Sequence, residues 1–159
     1  MSAVEVALTI AAALGAGLTG GVYLAFSFLV LPAFRTLPAA PAVSAVSAMQ
    51  RINVSAVRAP FMTVFFGGAA ASVAVIVVQL TSNVPAGPTR ILGAVLALAA
   101  VVITVVRNVP LNNALVSVDA NSPGLTAAWQ SFDRSWSRAN YARAAVSVAA
   151  AVALIFSLT

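Results

Sequence analysis

Twenty-six consecutive residues without a charge, Val6 to Leu31, constrain this chain more than any other feature of it. Coiled as a helix at 1.5 Å per residue they extend roughly 39 Å, enough to cross the ~30 Å hydrocarbon core of a bilayer with tilt or to project a turn beyond it. Three more such stretches follow: Phe61 to Leu80, Ile91 to Val106 and, after Arg143, Ala144 to Thr159. The pattern predicts an all-α fold, a four-transmembrane-helix bundle within one integral membrane domain covering 1–159, with spans at about 4–31, 60–80, 90–107 and 138–158. The opening MSAVEVALTIAAAL has no basic leader and too long an apolar run for a signal peptide, so it reads as a retained span.

A 62% hydrophobic, 7% charged composition belongs to membrane proteins and not to the quarter-charged globular class. With no Cys and no His, the chain lacks disulfides, thiolate nucleophiles, zinc fingers, iron–sulfur ligation and the usual haem ligands. Its three carboxylates are far apart in sequence, so no metal site and no cofactor is expected. All eight basic residues are Arg, and none forms a basic run separate from the apolar segments. This basicity reads as a topology signal and not as nucleic-acid binding. Seven arginines fall in or beside the connectors after the first and third spans, and only Arg90 on the opposite side. The positive-inside rule then places the long connectors in the cytoplasm and both termini outside, in what reads as a bacterial inner membrane.

Gly15, Gly17 and Gly20 spell GxGxxG, but neither a preceding strand nor a following acidic residue supports a dinucleotide site. Small residues four apart, Ala13, Gly17, Gly21 and Ala25, suit close helix packing instead, as do Gly67, Gly68 and Ala71. These ladders also offer a seam for a homo-oligomer. Tyr23 and Phe26 occupy adjoining turns of the first span, as packing surface or as a pocket wall. Between Pro32 and Pro60, apolar positions 43, 46, 49, 52, 56 and 57 oppose Ser44, Ser47, Arg51, Ser55 and Arg58, which predicts a short amphipathic helix between spans 1 and 2, lying at the membrane interface or continuing into the next span. Asn53 shares a stripe with Met49 and Ala56. The 16 residues of the third span are short for a crossing, so Arg90 and Arg107 are expected to snorkel, or the helix to run past them. In RNVPLNNAL, Pro110 is expected to end or kink the helix, with Asn108, Asn112 and Asn113 either capping the freed carbonyls or facing a cavity mouth.

Trp129, Asp133, Trp136, Asn140 and Arg143 fall within roughly 80° of one helical face. They lie on a helical extension leading into the last span, which is itself too short to cross unless Asn140 and Arg143 stand at or inside the membrane boundary. Ionisable groups there usually face a bundle interior or a wet cavity, which makes this stripe the leading candidate site. The alternative is an interfacial Trp belt with Arg reaching toward headgroups.

FSFLVLPAF (26–34), AMQRIN (48–53), RNVPLNNAL (107–115) and WQSFDRSWSRANYAR (129–143) resemble, in order and spacing, the DUF1772 or anthrone-oxygenase-like membrane proteins. The resemblance implies a four-helix membrane bundle, polar site positions at Asn53, Arg107, Asn112, Trp129, Trp136, Asn140 and Arg143, and, for some members, cofactor-independent oxygenation of anthrones. On that reading the partner is a hydrophobic aromatic small molecule. Arg143 or Arg107 pairs with a developing oxyanion, Asn53, Asn112 and Asn140 donate hydrogen bonds, Trp129 and Trp136 stack on the ring, and Asp133 is the nearby base. A different class fits the same residues: a non-catalytic membrane protein that binds a lipid or quinone, or that assembles with another membrane protein.

Overall fold

The computed structural model describes residues 1–37, 41–82, 87–119 and 122–159. They form five helices, α1 (Ala3–Arg35), α2 (Pro41–Ala56), α3 (Phe61–Thr81), α4 (Pro88–Val116) and α5 (Leu125–Phe156), with no strand among the described residues. All but α2 are long and apolar enough to cross a membrane. α1 lies along α3 and α5, α4 lies along the same two, and α1 scarcely meets α4, so the four close into a ring. Their alternation in direction is visible at one end. There Arg90 at the start of α4 donates to Gln79 Oε1 near the end of α3 (3.0 Å) and to the Ser157 carbonyl just beyond α5 (3.4 Å). Gln79 in turn donates to Glu5 Oε1 at the start of α1 (3.3 Å). Arg90, expected to reach outward, is 7% exposed and turned inward, because an amide and a carboxylate chain are on hand to receive it.

Small side chains fill the centre of the ring: Ala12, Ala16, Ala94, Ala97 and Ala150 are all buried. Where α1 crosses α3, Gly15 faces Gly68, and a Cβ on Gly68 would stand 2.8 Å from the Gly15 Cα. The two backbones are in contact, which only glycine on both sides allows. The seam differs from the expected ladder. Ala13 belongs to it, but Gly21 and Gly67 face open space and Gly17 only grazes Ala151. Leu14, Leu18, Val73, Val77, Val102, Val148 and Ile155 cover the outside, an apolar surface suited to a lipid bilayer.

At the other end α2 packs onto the bundle. Val46 and Met49 join Leu31, Leu115, Leu125, Trp129, Phe132 and Trp136 in one cluster, while Gln50 Nε2 donates to the Leu115 carbonyl (2.9 Å) and so fixes α2 over the end of α4.

Neither Pro32 nor Pro110 stops its helix. Each follows a π-helical turn, Phe26–Val30 in α1 and Thr104–Asn108 in α4, in which the N–H of Leu31 reaches the Phe26 carbonyl and that of Val109 the Thr104 carbonyl. A proline lacks the N–H for the carbonyl four residues back and its ring collides with that carbonyl. Here those carbonyls are Phe28 and Val106, both inside the widened turns. One extra residue per turn absorbs the clash and lets the helix resume.

Candidate functional site

Both π-turns and the middle of α5 meet at the end of the bundle that α2 covers. Of the five-residue stripe on α5, Trp129, Trp136, Asn140 and Arg143 are buried, and Asn140 is fully so. Asn140 Nδ2 crosses to α1, donating to the Tyr23 carbonyl and to Ser27 Oγ, both at 2.8 Å, where α1 leaves its regular ladder. With its nitrogen thus committed, Asn140 presents its oxygen to Arg143, whose Nε and Nη2 both donate to it at 3.0 and 2.8 Å. Arg143 Nη1 reaches Thr104 Oγ1 in the π-turn of α4 (3.3 Å). The guanidinium carbon lies 4.0 Å from the centre of the Tyr23 ring and 5.0 Å from that of Trp136, a cation held between two π faces. Among the described residues no carboxylate pairs with it.

Arg143 opens onto a cavity of about 480 Å³. Tyr23 and Phe26 of α1, Met49 and Asn53 of α2, and Phe61 and Met62 of α3 form three of its sides; Thr104 and Asn112 of α4 and Trp136 of α5 complete them. Trp136 is set in place by its own hydrogen bond, Nε1 donating to Asn112 Oδ1 (2.8 Å), and by Phe26, whose ring centre is 5.5 Å away. Asn53 Nδ2 is buried without an acceptor. The cavity adjoins an outer groove between α1 and α3 that shares Val22, Ser55 and Phe61 with it and carries Leu18 and Val64 farther out. Arg58 and Pro60 also line that groove.

The structure therefore brings Tyr23, Phe26, Asn53, Asn112, Trp136 and Arg143 to one chamber and places Asn140 directly behind it. Three candidates lie elsewhere. Asp133 is gripped by Arg35, Nε to Oδ2 at 2.8 Å and Nη2 to Oδ1 at 2.9 Å, with Ser137 Oγ also donating to Oδ1 (3.1 Å), so it ties the end of α1 to α5 and does not line the cavity. Trp129 stacks on Phe132 and meets Phe34 edge-on inside the covering cluster. Arg107 is exposed, on the side of the α4 π-turn away from the cavity. Thr104 was not singled out in advance. Hydroxyls are common along membrane helices, where they bond their own helix, as Thr104 does to the Ala100 carbonyl (2.8 Å), so nothing local marks the one that also accepts from an arginine.

Three or more metal-ligating side chains gather nowhere among the described residues. The family described as anthrone oxygenase matches residues 61–153, that is α3, α4 and most of α5, including Thr104, Asn112, Trp136, Asn140 and Arg143, and leaves the Tyr23, Phe26 and Asn53 walls outside the matched region. No match was found among curated proteins or among solved structures.

Proposed function

Since the chain belongs to the anthrone oxygenase family, we propose that it is a membrane-embedded, cofactor-independent oxygenase whose cavity takes a planar, lipid-soluble phenolic of the anthrone class. The observation that carries this reading is Arg143: a buried guanidinium with no carboxylate partner among the described residues, aimed into an aromatic-walled chamber of about 480 Å³. An unneutralised cation in such a place is costly, and a ligand oxyanion offsets that cost.

The chemistry asks little of the protein. An anthrone loses the proton on the ring carbon opposite its carbonyl, and Arg143 stabilises the resulting enolate oxygen. The enolate carbon is oxidised by dioxygen, which forms the new C–O bond and takes up a proton as a hydroperoxide. Loss of water then leaves the second carbonyl, so one anthrone and one O₂ give one anthraquinone and one H₂O. Trp136 and Phe26 hold the ring plane, and Asn53 Nδ2 remains free for a further acceptor on the ligand. With Asp133 occupied by Arg35, the carbon proton passes to water at the cavity mouth instead of to a carboxylate. Substrate and dioxygen, both lipid-soluble, enter through the groove between α1 and α3. The arginine-rich end that bears the cavity faces the cytoplasm of a bacterial inner membrane.

Purified protein supplied with anthrone under oxygen should form anthraquinone faster than buffer does, with one O₂ consumed per product, and Arg143→Ala should remove the difference. Equal rates with and without protein would leave ligand binding or assembly with another membrane protein as the better account.

A further inference from the structure

The cavity has a second cation. Arg51, near the end of α2, lines it together with Asn53, and also lines an open cleft on the outer side of α2 with Ser47, Gln50 and Val54, so Arg51 stands at the rim between chamber and surface. It has no hydrogen bond or ion pair among the described residues, in contrast to Arg35, Arg90 and Arg143, each of which is held. Asn53, two residues farther along α2, also lines the cavity, and its Nδ2 is buried with no acceptor among the described residues. No carboxylate lines the cavity to neutralise either guanidinium. Most of the remaining lining is apolar, with Val22, Phe26, Met49 and Met62 among it.

Resting on the reading above, we propose that the ligand is an aromatic acid: its ring oxygen meets Arg143, and a carboxylate on its outward end is received by Arg51 and Asn53 Nδ2. Buried donors are met in folded proteins, by a ligand where the protein does not supply the acceptor. A carboxylate has lone pairs enough for a guanidinium and an amide together, and charge-assisted contacts of this kind are the strong ones. A neutral ring would leave the buried Asn53 amide unmatched and the exposed Arg51 to water alone. Arg51 thus sets specificity and takes no part in the oxygen chemistry.

The test uses two redox-stable tricyclic probes that differ only in charge, anthraquinone-2-carboxylate and its methyl ester. Their binding to the detergent-purified protein is followed by quenching of tryptophan fluorescence, since Trp136 lines the cavity. The acid should bind about tenfold or more tighter than the ester. Arg51→Gln should bring the acid down to the ester's affinity while leaving the ester's unchanged, and Arg51→Lys should keep part of the preference. Comparing each probe across variants cancels its partition into the micelle, and a group without partners should alter no fold, which an unchanged melting temperature would confirm. Equal binding of acid and ester to the unaltered protein would overturn the proposal while leaving the oxygenase reading intact. Absence of binding by both would sink the two together. Displacement of the acid by an equal concentration of dodecanoate would also overturn it, marking a site for lipid anions.

Discussion

Arg143 and Asn140, one turn apart on α5, are joined by two hydrogen bonds into a single amide oxygen, so that a neutral side chain and not a carboxylate holds the buried guanidinium. The choice of amide has a consequence. Asn140 orients the cation without cancelling its charge, and the charge remains for whatever enters the cavity. Asn140→Asp keeps both acceptors of Arg143 but loses the donor to the Tyr23 carbonyl, a modest cost in stability, and by neutralising the cation it should weaken binding of an anionic ligand tenfold or more. Asn140→Ala should instead lower stability by about 3–5 kcal/mol, the cost of leaving a buried charge without its partner. Thermal unfolding and ligand titration of the two variants separate these effects.

Substitution of Arg143 itself should divide stability from function. Removing the buried cation relieves its desolvation but leaves the buried Asn140 Oδ1 without its donors, a cost of about 1–3 kcal/mol. Arg143→Met should therefore melt only slightly below the parent protein while losing anthrone turnover entirely. A variant that melts far lower in parallel with its loss of turnover would make Arg143 a structural residue.

Asp133 supplies the opposite case. Its partner Arg35 is 44% exposed, so the ion pair joining α1 to α5 is worth at most about 1 kcal/mol. Asp133→Asn should lower stability within that limit and leave turnover unchanged, and combining it with Arg35→Gln should add little further loss, since either change alone breaks the same bridge. A hundredfold fall in turnover for Asp133→Asn would restore it as the general base.

Glycine substitutions test the packing seam. A methyl group on Gly68 must push α1 and α3 apart, so Gly68→Ala should cost about 1–3 kcal/mol or more. Gly21→Ala meets nothing and improves helix propensity, so it should be neutral or stabilising by up to about 1 kcal/mol. Melting temperatures of the two variants give the comparison directly.

Much of this arrangement could be read from the sequence. Length and apolarity fix the four long helices, because lipid leaves the backbone few alternatives, and the 100° step puts Trp136, Asn140 and Arg143 on one face wherever the helix packs. Other features depend on partners distant in the chain. Asp133 finds Arg35 across 98 positions, which no local pattern announces. The seam Gly15–Gly68 could not be told from Gly17 or Gly21, because alanine and glycine occur on every face of α1 and only the approach of α3 selects one. The sequence marks Pro110 as a helix end or a kink, and α4 continues past it, as α1 does past Pro32. A π-turn accommodates the clash without stopping the helix, and it leaves no composition signal of its own.

Those two turns bear directly on the site. They deliver Phe26 and Ser27 from α1, and Thr104 and Asn108 from α4, toward the residues of α5. If Pro110 imposes the wide turn, Pro110→Ala should allow α4 to recover its regular ladder. Removing one residue's worth of winding rotates everything on one side of the turn relative to the other by roughly 100°. Thr104 and Asn112 would then no longer both face the cavity, and Trp136 Nε1 would lose its acceptor at Asn112. The same rotation would take Leu115 out of the covering cluster and its carbonyl away from Gln50, so the melting temperature should fall as well. Ligand quenching of tryptophan fluorescence and anthrone turnover should both fall, by tenfold or more. Undiminished binding by this variant would show that the surrounding contacts, chiefly Arg143 to Thr104 and Trp136 to Asn112, and not the proline, keep the turn open.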